Sequence, residues 1–158
     1  MNFIKEVFTF FVSYFLLFML LSHVVTSTHF LTTATIYCVK FILSLFNFNA
    51  LLLEHSDIIL VDYVGVEIIP DCTCYFEVVL FLSLLLSLGF ISLREKIIFS
   101  FVGLPILFLF SVVRVSSVIV VGVLYGAWWF DVFHTYIWSF SAIMFPAVLL
   151  LVLVKVSR

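Results

Sequence analysis

Charge divides this chain into long stretches that carry none. Residues 7–25, 78–93, 97–113, 115–130 and 135–154 contain no Asp, Glu, Lys or Arg. A bilayer core about 30 Å thick takes about 20 apolar residues of helix to cross. Backbone placed in lipid must also satisfy its own hydrogen bonds, which a helix does within itself. Runs of this length and polarity predict membrane helices. Composition agrees: 66% of residues are hydrophobic, 10% are charged, and Phe alone occurs 21 times, whereas a soluble domain is about 25% charged. A net charge of -2 with no basic cluster argues against nucleic acid as a partner, because neutralising phosphates needs grouped Lys and Arg.

The first run is longer than the apolar region of a signal peptide, about 7 to 15 residues, and has no clear small-residue cleavage site. It reads as a retained anchor in an N-terminal helix over residues 1–26. A weaker apolar stretch, residues 28–48, is interrupted by Lys40 and rich in Thr at its start. Next comes the one sustained polar segment, holding Glu54, His55, Asp57, Asp62, Glu67, Asp71 and Glu77 without a single Lys or Arg. Its stretch 57–69 is rich in Ile and Val and punctuated by Gly65 and Pro70, a pattern that predicts a small β-hairpin. Three core helices are expected beyond it, over residues 72–93, 97–124 and 134–155. The middle one joins two charge-free runs across Arg114 and ends where Gly122, Gly126 and the Trp128-Trp129 pair mark an interface.

Arg94 and Lys96, expected in a short loop, together with Lys155 and Arg158 at the chain end, should lie in the cytoplasm, as should Lys5. The acidic segment 49–71 is then extracytoplasmic, and residues 28–48 read as an interfacial or re-entrant helix; as a second membrane helix they would give five spans and need Lys5 outside. The expected fold is a single all-α integral membrane domain in the cell membrane, multi-pass, with about four transmembrane helices, the interfacial helix and the small extracytoplasmic hairpin.

At about 1.5 Å rise per residue, Arg114 sits roughly 26 Å along the helix entered at Ile97, near the outer face. Cys72 and Cys74 occupy the outer end of the preceding helix, and His134 opens the last one. Cysteine, arginine and histidine thus converge on one level. An Arg with long uncharged flanks costs a few kcal/mol to insert, which makes a functional site the default reading. Of the three cysteines, Cys38, Cys72 and Cys74, at least one must be free. A thiol becomes a nucleophile as thiolate, a form that a nearby Arg or protonated His stabilises. His can protonate the leaving amine of an acyl transfer, and Arg can hold an oxyanion.

The order of these residues resembles the exosortase/archaeosortase family. The likeness is carried by Asp71-Cys72-Thr73-Cys74 at a helix start and by the basic stretch Arg94-Glu95-Lys96 leading to Gly103. It continues through Ser111-Val112-Val113-Arg114 late in an apolar helix to Phe133-His134, and covers roughly half the chain. Cys74 stands where the family has Gly, and Ser111 where it often has Asn. The resemblance implies an integral membrane cysteine protease or transpeptidase, acting at the outer membrane face through a thioester. Its catalytic residues would be Cys72, Arg114 and His134, with no cofactor and no metal. Its partners would be membrane lipid and a secreted protein substrate ending in a short motif, a transmembrane helix and a basic tail. Three other readings compete. Cys72 and Cys74 can form the redox pair of a membrane thiol oxidoreductase. Cys72, Cys74, His134 and an acidic residue can form a copper or zinc site. Arg114 can pair with Glu77 or Asp131 in a non-enzymatic membrane subunit.

Overall fold

The computed structural model describes residues 2–25, 29–52, 57–62, 64–69 and 72–156. Glu54, His55, Pro70, Asp71 and Arg158 lie outside the described residues. The chain is mostly helical, with one small sheet.

Helix α1, Asn2–Val25, packs on α3, Tyr75–Ser87. Tyr75 Oη donates to the Ser22 carbonyl at 2.8 Å, and Phe18 meets Phe76 edge to face. The other side of α1 presents Phe8, Phe11, Phe15, Leu16, Met19 and Leu20 with no protein cover. Helix α2, His29–Leu45, places Thr32, Thr35, Ile36, Val39 and Leu43 on one buried stripe at helical spacing. That stripe packs on α4, Leu93–Tyr125, at Val112, Val115 and Ile119.

The sequence predicts a two-stranded hairpin, and the structure holds three antiparallel strands: β1, Ala50–Leu52; β2, Ile58–Val61; and β3, Val64–Glu67, in the order β1-β2-β3. The added strand is short and follows directly on the turn after α2, so its own composition scarcely announces it. Ile59 and Val61 face inward and join α2 and α4 in one core, together with Ile68 and Cys72.

Two helix boundaries depart from expectation. The helix expected over 72–93 is α3, 13 residues long, and it ends at Ser87. Arg94 and Lys96 are in the first turn of α4 rather than in a loop. A capping box sets that start: Ser92 accepts the Glu95 N–H, and Glu95 accepts the Ser92 N–H. Lys96 then reaches back to the Leu86 carbonyl at the end of α3. At the other end of α4, Gly126 adopts φ +89° and turns the chain into α5, Ala127–Val132. From there the helix runs without a break through a π-helical turn, Phe133–Trp138, into α6, Ser139–Val156. His134 therefore lies inside a helical segment and does not open one.

Two helical segments, Leu93–Tyr125 and Ala127–Val156, are long and apolar enough to cross a membrane. A second core gathers Phe81, Leu85, Ile91, Phe99, Leu107 and Leu150, which brings the start of α4 beside the end of α6. Arg94, Lys96 and Lys155 accordingly share one end of the bundle, while the start of α3 and the end of α4 occupy the other.

Candidate functional site

Cys72 follows the sheet directly. Its N–H donates to the Ile69 carbonyl at 2.8 Å. Thr73 Oγ1 then accepts the Tyr75 N–H at 3.3 Å, so the hydroxyl stabilises the first turn of α3. Cys72 and Cys74 are both buried, and they are not joined in a disulfide.

A cavity of about 610 Å³ lies between β3, the C-terminal part of α4 and the segment from Gly126 to Trp138. Cys72 and His134, far apart in sequence, both line it. Cys74 does not. The cavity is otherwise apolar, walled by Val115, Val118, Ile119 and Val123 of α4, with Glu67 as its one carboxylate.

His134 is held in a column of rings. Phe130 stacks on it at 5.7 Å between centroids with the planes nearly parallel, and the Trp138 ring lies 4.7 Å away, tilted by 46°. These residues recur every four positions, so one side of the helix carries all three; the π turn lies among them. Such insertions are found disproportionately at functional sites. Gly122 makes room for the column, since a Cβ there would stand 2.8 Å from Phe130 Cδ2.

Arg114 continues the column from α4. Its guanidinium carbon lies 4.0 Å from the Trp138 ring centre, a cation–π contact inside the protein. Its Nη1 forms an ion pair with Glu77 Oε1 at 2.5 Å, and both side chains are almost fully buried, at 5% and 1% exposure. Both Cys72 and Cys74 are near enough to Arg114 to interact with its charge. Arg114 does not itself line the cavity; it touches the wall through Trp138.

The sequence-predicted trio is thus divided between two adjoining places. Cys72 and His134 share the cavity, and Arg114 sits behind it. The acidic partner of Arg114 is Glu77, while Asp131 is exposed. Ser111, one turn before Arg114, is completely buried and its hydroxyl makes no hydrogen bond among the described residues. No three Cys, His, Asp or Glu side chains among the described residues gather in a way that can hold a metal ion. Phe130 and Trp138 escaped the sequence reading, although their four-residue spacing about His134 was visible there. Comparison with protein-family models, with characterised proteins and with solved structures finds no match.

Proposed function

We propose that the chain is a multi-pass integral membrane cysteine protease or transpeptidase of the exosortase/archaeosortase type, with its site at the extracytoplasmic end of the bundle. The observation that carries this reading is the meeting of Cys72 and His134 on one cavity, with the buried cation Arg114 within electrostatic reach of the thiol. The bundle's basic end, with Arg94, Lys96 and Lys155, suits the cytoplasm, and the acidic sheet suits the outside. The uncovered apolar surfaces of α1, α2, α4 and α6 suit lipid.

In the reaction the Cys72 thiolate attacks the carbonyl carbon of the scissile peptide bond and a tetrahedral oxyanion forms. The carbon–nitrogen bond then breaks, protonated His134 gives its proton to the departing amine, and a thioester remains on Cys72. Water or an amine acceptor attacks that thioester and regenerates the thiol. Arg114, placed behind the cavity wall, is better set to stabilise the Cys72 thiolate than to touch the substrate oxygen.

The test is processing of a co-expressed secreted protein that ends in a motif, a transmembrane helix and a basic tail. Cys72→Ala should abolish processing and Cys74→Ala should retain it. Equal loss in both would support a thiol pair instead. The ion pair with Glu77 specifically favours one other reading, a non-enzymatic membrane subunit braced by Arg114 and Glu77. On that reading, Cys72→Ala and His134→Ala would leave every phenotype of the protein unchanged.

A further inference from the structure

The third strand meets the cavity along its edge. Residues 64–69 all line it in unbroken succession. Successive side chains of a strand point to opposite faces, so a cavity touching one face would be lined by alternate residues only. Contact with every residue means that the open side of the strand borders the space.

The hydrogen bonding fixes which backbone groups that edge offers. The register pairs Ile59 with Val66 and Val61 with Val64, and the Ile68 N–H donates to the Asp57 carbonyl at 2.8 Å. In an antiparallel pair, the residues that exchange both bonds alternate with residues that exchange neither. Residues 64, 66 and 68 therefore direct their N–H and C=O groups to β2. Gly65 and Glu67 direct theirs away from it, toward the cavity, whereas beyond the strand the Ile69 carbonyl is already taken by the Cys72 N–H. β3 is the last strand of the sheet, so no further strand takes up those groups among the described residues. Cys72, which lines the same cavity, follows five residues after Glu67, the last residue of the strand.

We infer that the cavity binds a polypeptide in extended conformation, which adds as a fourth strand to the free edge of β3 and delivers its scissile carbonyl to Cys72. An edge of alternating donors and acceptors is complementary to another extended backbone, and pairing of this kind reads conformation before side chains. This inference rests on the proposed cysteine chemistry and specifies how that site holds its substrate. A stretch still folded as helix has its N–H and C=O groups already paired and cannot join the sheet. The segment cleaved must therefore be the extended part of the substrate that emerges from the membrane, not the transmembrane helix itself.

The probe is acetyl-trialanine chloromethyl ketone, applied to the full-length protein in detergent micelles. The Cys72 thiolate displaces chloride and forms a thioether, which mass spectrometry locates. The quantity read is the ratio of this rate to the rate with iodoacetamide, which has no peptide backbone. Pairing predicts that N-methylation at one alternate set of alanines lowers the ratio about tenfold, and that methylation at the other set does not, because only every second N–H faces the edge. Glu67→Pro, which removes an outward-facing N–H, should lower the ratio similarly, and Glu67→Gln, which keeps that N–H, should not. Equal ratios for the two methylated peptides would overturn the inference, as would no change in Glu67→Pro. If Cys72 reacts with neither reagent, the catalytic reading falls and strand addition is judged separately. A benzophenone on the same peptide should then crosslink to residues 64–69 with the same alternate sensitivity to N-methylation. Crosslinking indifferent to methylation at either set would mark the cavity as a site for an apolar ligand such as a lipid acyl chain, and would reject strand addition.

Discussion

Arg114 and Glu77 form a pair that neither can leave alone. Removing one partner of a buried ion pair strands the other charge and costs about 3–5 kcal/mol, whereas replacing both by apolar side chains is often nearly neutral. Arg114→Ala should therefore lower the thermal unfolding temperature in detergent and reduce the amount of protein in the membrane. Glu77→Leu combined with Arg114→Met should restore most of both. If Arg114 also supports the Cys72 thiolate, the double variant will accumulate and still fail to process substrate; processing by the double variant would confine Arg114 to a structural role. Gly122 raises a different question, since its absent side chain gives Phe130 its place. Gly122→Ala should push the ring aside, disturb the stack on His134 and cut processing severalfold while leaving membrane levels near normal. The importance of Arg114 was legible in the sequence from its uncharged flanks. That the same residue is neutralised by Glu77 and lies behind Trp138 was not, because side chains on three different helices create that arrangement.

Among the elements, the start of α4 and the segment from Gly126 to Trp138 behave oppositely. The α4 start is local chemistry: Ser92-Leu93-Arg94-Glu95 matches a capping box in the sequence itself. Ser92→Ala should destabilise the protein by about 1 kcal/mol, measured as a lower unfolding temperature. It should not change the ratio of peptide to iodoacetamide reactivity at Cys72, because the box stands at the opposite end of the bundle from the site. The Gly126 corner is also local, since its φ of +89° suits glycine and few other residues. Gly126→Ala should cost about 1–3 kcal/mol and, unlike Ser92→Ala, alter reactivity at Cys72, because Gly126 borders the cavity. The π turn that follows α5 has no comparable signature. It is set by how α5 and α6 pack against α4, so sequence spacing alone moved His134 to a helix start.

For the whole molecule, the separation of charge predicts the orientation. A single reporter cysteine at Asp62, in a background lacking Cys38, Cys72 and Cys74, should react with an impermeant thiol reagent in intact cells. One at Arg94 should react only after the membrane is opened. The reverse pattern would invert the bundle and place the cavity in the cytoplasm, where a processor of exported proteins has no substrate. The same experiment bears on α2, whose 17 residues extend only about 26 Å and whose buried stripe is taken up by α4.

Apolar runs and their interruptions were sufficient for the helical class and for one continuous helix through Arg114, because burial of apolar residues acts on each stretch separately; strand structure in the acidic segment was legible from its β-branched residues between Gly and Pro. The third strand, the shortness of α3, the π turn and the separation of Arg114 from the cavity follow from contacts between distant parts of the chain. Cys72 and His134 could be named from residue type and depth, since helical rise measures depth along each helix by itself. Whether they face a common space depends on the rotation of each helix about its axis. Only packing sets that rotation, through Gly122 against Phe130, Arg114 against Trp138 and β3 against the mouth of the cavity.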